Sequence, residues 1–300
     1  MPEYNSKLLL FGEYLIIRSG RALAVPYQAF GGGWDFDPEN LALQQNLPAL
    51  ANHLSNLSKK GNLLCELNLE AFFRDLDKGL FFDSNIPVGY GLGSSGALSA
   101  ALYDKYGTDK IDKNAVEQFG TLRKILSQIE NFFHGSSSGI DPLISYINQP
   151  VVIGEDGSVE LISLPETKES QPFFLLDTQM PRQTGPLVQL FLKKCEYEAY
   201  SQQIDGSLTS ASISAIDHFI QNNQISLAAD FTRISALQYD LFFEMIPESF
   251  RRIWQAGLDS GAFSLKLCGA GGGGFMLGYA ADLKRTVEML NFFNWKWVEI

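Results

Sequence analysis

Cysteine, histidine and positive charge are all scarce in this chain of 300 residues. The three cysteines, Cys65, Cys195 and Cys268, are far apart and odd in number. That excludes a disulfide framework and any metal motif built on thiolate spacing, and makes reduced thiols in a cytoplasmic protein the expectation. The three histidines, His53, His134 and His218, form no cluster. Lys and Arg number 23 against 34 Asp and Glu, a net charge of -11. Such a balance excludes nucleic acid as the main partner, because binding a phosphate backbone needs basic surface. It leaves room for a single nucleotide, which needs only a local field, often with Mg²⁺. No apolar run reaches membrane-spanning length, and Gly12, Glu13 and Tyr14 break the apolar start MPEYNSKLLLFGEYLII, so neither a membrane span nor a signal peptide is expected.

What the chain does have is glycine at particular places. The stretch Pro87 to Tyr106, PVGYGLGSSGALSAALYDKY, places Gly89, Gly91 and Gly93 before Ser94, Ser95 and Gly96, and then continues in Ala and Leu. A glycine-rich loop that runs into a helix is suited to an anion. Glycine lets backbone N–H groups approach a ligand, and the first helical N–H groups have no partner within the helix. The loop lacks the lysine of a Walker A motif and the spacing of the dinucleotide fingerprint. Taken alone it fits a turn and a helix cap as well as a polyphosphate cradle.

The length predicts two domains, divided in the polar stretch 165–171, with 1–168 as the N-terminal and 169–300 as the C-terminal domain. Residues 7–17 read as two short strands about Gly12–Glu13, 22–30 as a strand, and Gly31–Gly33 as a turn. Helical spacing covers 40–58, with Pro48 as a kink or a start, and 112–134, with Asp112 as cap and Gly135 as stop. A hairpin is expected about Asp156–Gly157, and strands at 173–178 and 263–267. Helices are expected at 186–200, 209–221, 225–245 and 281–291. Between two apolar runs, CGAGGGGF at 268–275 reads as a rigid tight connection.

Three segments in this order, KLLLFGEYLIIRSGRALAVP (7–26), PVGYGLGSSGALSAAL (87–102) and KLCGAGGGGFMLG (266–278), resemble the GHMP kinase family. Two more, ENFFHGSSSGID (130–141) and DTQMPRQT (177–184), resemble its mevalonate kinase branch. The resemblance implies a two-domain α+β fold, with ATP and substrate in a cleft between the domains and the ATP-binding part in the N-terminal one. It implies transfer of the γ-phosphate to the primary alcohol of a small hydroxy acid such as mevalonate, in isoprenoid precursor synthesis. A homodimer is left open.

The same resemblance distributes roles. Gly89, Gly91, Leu92, Gly93, Ser94, Ser95 and Gly96 would wrap the triphosphate. Ser95 and Glu130 would hold Mg²⁺, an assignment that suits a hard cation. Asp141 would take the hydroxyl proton, with Lys7 beside it to lower its pKa and polarise the attacking oxygen. Phosphoryl transfer needs little more than a cradle, a metal and a positioned hydroxyl, so electrostatics and positioning should supply most of the rate. Glu13, Tyr14, His134, Ser138, Arg182, Thr184 and Gly271 are the candidates for substrate contact. Tyr14 departs from the branch, which usually has His there, and is more like phosphomevalonate kinases. Gly96 stands in place of the commoner Ala, and Cys268 in place of Thr. These departures touch the acceptor rather than the reaction type. A regulator that binds without catalysis is the rival from another class, and the presence of Lys7, Ser95, Glu130 and Asp141 together speaks against it.

Overall fold

A computed structural model describes residues 3–164, 172–182, 184–293 and 295–299. The expected domain boundary at 168/169 lies outside the described residues. The chain divides into two compact units. The first comprises Met1–Leu8, Val25–Pro87 and Leu92–Val151, and the second Leu9–Ala24, Val88–Gly91 and Val152–Ile300. Among the described residues no helix is long and apolar enough to cross a membrane.

The elements of the first half are β1 (Tyr4–Phe11), β2 (Ala22–Phe36), α1 (Leu47–Lys59), α2 (Leu69–Asp77), β3 (Leu80–Ser84), α3 (Ser94–Tyr106), α4 (Phe119–His134), α5 (Ile140–Ile147), β4 (Val151–Ile153) and β5 (Val159–Leu161). The strands form one sheet in the order β1-β2-β4-β5, with β3 antiparallel to β2. In the first unit α3 packs against α5 and α4. Helix α3 is buried almost all round, and Gly96, Ala97, Ala100 and Ala101 are small enough to allow that close packing. Helix α4 instead shows a stripe, Leu122, Ile125, Leu126 and Ile129, and is solvated on its other face.

The second half continues as β6 (Phe173–Asp177), α6 (Thr184–Lys194), α7 (Glu198–Gln202), α8 (Thr209–Ile220), α9 (Gln224–Leu241), α10 (Glu248–Ser260), β7 (Phe263–Leu267), β8 (Phe275–Ala280), α11 (Leu283–Phe292) and β9 (Trp297–Glu299). The antiparallel sheet β7-β8-β6-β9 carries α9 and α10 against β7. Its core is aromatic, and the wholly buried Trp254 donates its indole N–H to Ser235 Oγ at 2.9 Å, so the apolar ring is buried without an orphaned donor. The α+β expectation holds.

Local expectations failed in several places, and the helix expected at 186–200 is broken between Lys194 and Glu198. Gly31–Gly33 is no turn: β2 runs straight through it. A Cβ on Gly32 would sit 2.5 Å from the Phe82 ring, so glycine admits that aromatic from β3. The second half of 7–17 is a single 3-10 turn, Leu15–Arg18, bent out of the strand by positive φ at Tyr14 (63°) and Ser19 (59°). The helix expected from 112 begins at Phe119, because Asp112 accepts from Asn114 N at 2.8 Å in a local turn instead of capping it. The helix expected over 40–58 begins at Leu47, with Pro48 in its first turn, where a missing N–H costs nothing.

Candidate functional site

In the first unit the residues converge on the start of α3. Gly93 caps this helix at φ 77°, and no side chain caps it. Its first N–H groups are therefore not taken by a capping side chain. The backbone N–H of Lys7, in β1, donates to Leu92 O at 3.0 Å, which fixes the loop beside the strand. Lys7 Nζ lies 2.9 Å from Asp141 Oδ1. Asp141 is in the first turn of α5, where the helix dipole favours a carboxylate.

Of the glycines between these groups, Gly96 is required by space and Gly93 by its φ of 77°. A Cβ on Gly93 would lie 3.2 Å from Lys7 Cγ and 3.4 Å from Asp141 Oδ2, and one on Gly96 would be 2.8 Å from the Asp141 carbonyl carbon. The Lys7 side chain is only 8% exposed and that of Asp141 33% exposed, so the acid reaches solvent while its cation is held.

The second feature comes from helical spacing. Leu122, Leu126, Glu130 and His134 follow one another at four-residue intervals on α4, so the buried stripe delivers Glu130 inward and His134 at its end. Ser95 Oγ donates to Glu130 Oε1 at 2.8 Å and lies 2.9 Å from His134 Nε2. The Ser95 hydroxyl thus bridges Glu130 and His134, and the tautomer of His134 sets the direction of the second bond. The other carboxylate oxygen accepts from Ser137 Oγ. Burial and the nearby Asp141 charge push the Glu130 carboxyl up to about 7, against the opposing pull of Ser137, Ser95 and Lys7. A carboxyl in that state lacks compensating positive charge. The paired oxygens of Ser95 and Glu130 fit a hard divalent cation, which takes one or two protein ligands and completes its shell with phosphate and water. Among the described residues no three His, Cys, Asp or Glu side chains cluster to hold a metal without such help.

The remaining candidates other than Ser138 fall in the second unit. Arg182 donates its backbone N–H to Gly89 O at 3.1 Å and its guanidinium to the carbonyl of Cys268. A Cβ on Gly91 or Gly269 would meet that guanidinium at 2.1 or 2.6 Å. The run 268–274 is a tight turn, as expected, with φ of 87°, 74° and 75° at Gly269, Gly271 and Gly272. Glu13 is buried and paired with Lys266, whose Nζ also donates to Leu267 O at 2.9 Å. Tyr14 is 4% exposed, with its hydroxyl on Ala270 O at 2.6 Å. Thr184 opens α6 and is exposed. Ser138, in the first unit, accepts from Ile140 N at 3.4 Å.

Two residues escaped the sequence. Ser137, not Ser138, reaches Glu130, and in a run of three serines nothing separates them. Lys266 is a charge in the apolar strand FSLKL, and that break in pattern was the available signal.

Residues 56–149 match the model of the GHMP kinases N terminal domain. The mevalonate kinase of Pyrococcus furiosus is 22% identical, covering 94% of this chain and 89% of that protein. Among solved structures, L. major mevalonate kinase in complex with R-mevalonate superposes with a TM-score of 0.66 at 16% identity, covering 96% of this chain and 90% of that one. Streptococcus pneumoniae phosphomevalonate kinase gives 0.63 at 17% identity, covering 99% and 98%.

Proposed function

We propose, from the premise that this chain belongs to the GHMP kinase superfamily, that it is an ATP-dependent kinase that phosphorylates the primary alcohol of mevalonate. The observation that carries this reading is the Lys7–Asp141 pair set against the uncapped start of α3. Asp141 accepts the proton of the attacking hydroxyl. A carboxylate is a weak base for an alcohol, so it acts late, after a loose transition state has formed. Lys7 pairs with Asp141 and lends positive charge to the attacking oxygen. The loop 89–96 cradles phosphate with backbone N–H groups, and α3 presents the positive end of its dipole.

Ser95 and Glu130 are the proposed Mg²⁺ ligands, and the cation supplies charge neutralisation between phosphate groups. His134 orients Ser95 through the 2.9 Å contact, a reading that moves it from substrate contact to ligand support. Arg182 and the turn about Gly271 are the proposed anion contacts of the second unit. Phosphomevalonate is the second acceptor to consider. Tyr14, where mevalonate kinases usually carry His, favours it, as does the likeness to the Streptococcus pneumoniae enzyme.

The test is an ADP-release assay with Mg²⁺ and ATP over mevalonate, phosphomevalonate, galactose and homoserine. Turnover with mevalonate above the others is the expected result. Turnover with another member alone would overturn the acceptor and keep the kinase, and none at all would point to a regulator.

A further inference from the structure

Tyr14 holds a conformation that its sequence position does not explain. Its φ of 63° is rare for a bulky residue, and such strain persists only where the surroundings impose it. Here they do. The ring packs at 4.6 Å between centroids on Phe191 and 4.9 Å on Phe242. The hydroxyl donates to Ala270 O at 2.6 Å, and burial raises its pKa against the opposing Arg182 charge, so it stays a donor at neutral pH. The adjoining Glu13 is bound to Lys266, just before the same turn. Other anchors of the turn are Gly272 N on Met245 O and Gly274 N on Met180 O, both at 2.7 Å.

In a trans peptide the carbonyl of one residue and the N–H of the next point in opposite directions. Drawing the Ala270 carbonyl toward Tyr14 therefore turns the Gly271 N–H away from it. The guanidinium of Arg182 does the same for the peptide two residues earlier, through the Cys268 carbonyl. Each contact thus fixes the direction of one N–H group, that of Gly271 and that of Gly269, and backbone N–H groups held in fixed directions in a turn can make an anion site.

We propose that Tyr14 is a positioning residue for the 268–274 turn: it fixes the Ala270–Gly271 peptide so that the Gly271 N–H faces a phosphate oxygen, and it does not touch the acceptor. The kinetic part of this rests on the phosphotransfer reading, whereas the structural part does not.

Tyr14→Phe keeps the ring and removes only the hydroxyl. Hydrogen exchange followed by mass spectrometry, on the protein alone, should show peptides covering 268–274 exchanging up to about tenfold faster, the worth of one net hydrogen bond, with other segments unchanged. In turnover, kcat should fall about five- to tenfold while the acceptor KM stays within about twofold. Unchanged exchange in that segment would overturn the proposal. So would faster exchange throughout the chain, which would make Tyr14 a core residue only, and so would a raised acceptor KM with kcat intact, which would put the hydroxyl on the substrate. If the unaltered protein turns over no acceptor, the phosphotransfer reading fails, and the exchange result still decides the role of Tyr14.

Discussion

Each unit holds a lysine paired with a carboxylate, and the two pairs differ in burial. In Lys7–Asp141 the acid side chain is 33% exposed and the lysine 8%. In Lys266–Glu13 the exposures are 0% and 1%. The second pair has lost its water on both sides and spends a further lysine proton on Leu267 O, so its charges serve the packing of β7 and the strained turn at Glu13–Tyr14. The first keeps its acid accessible beside uncapped helical N–H groups. On the proposed reading, identical functional groups divide into a fastening and a reactive pair according to solvent access and neighbours, not according to residue type.

Breaking the buried pair should give the larger change in stability. Lys266→Met removes the cation bonded to the buried Glu13, and urea denaturation should show a loss of about 3–5 kcal/mol. The double variant Glu13→Gln with Lys266→Met removes both charges and should recover much of that loss. If Lys266→Met were neutral, the contrast between the pairs would be lost.

A smaller effect tests the acidic side of the first unit. Glu130 is raised from 4.5 to about 7 in the folded protein, so the folded state binds this proton more tightly than the unfolded state. Its contribution is fully present below pH 4.5 and is lost as pH rises through about 7. Without metal, the unaltered protein should lose up to about 3 kcal/mol relative to Glu130→Gln across that window, at 1.36 kcal/mol per pKa unit. Mg²⁺ should offset the loss above neutrality by pairing with the ionised carboxylate. Parallel stability curves for the two proteins between pH 4 and pH 8 would contradict the burial argument.

How much of this could be read beforehand follows from how local each feature is. The burial of Glu130 is legible, because a four-residue interval from Leu122 and Leu126 puts it on the apolar face of α4. The end of that helix at Gly135 is legible as well. The juxtaposition of Lys7 with Asp141 is not, since a strand and a helix start distant in sequence meet only through tertiary packing, and only the resemblance suggested it. Gly31–Gly33 misled because glycine signals close approach as often as a turn, and the ring that approaches, Phe82, lies on another strand. Lys266 and Ser137 lay in motifs already noticed, but their partners Glu13 and Glu130 depend on the fold.

The central claim is that the accessible acid of the first pair does the chemistry. It is tested most directly by comparing Asp141→Asn with the unaltered protein in ADP release with Mg²⁺, ATP and the preferred acceptor, with thermal unfolding recorded on the same samples. The account predicts a fall in kcat of about 10²–10⁴-fold with unfolding nearly unchanged, as expected for loss of a general base. Turnover by Asp141→Asn at the unaltered rate would contradict it.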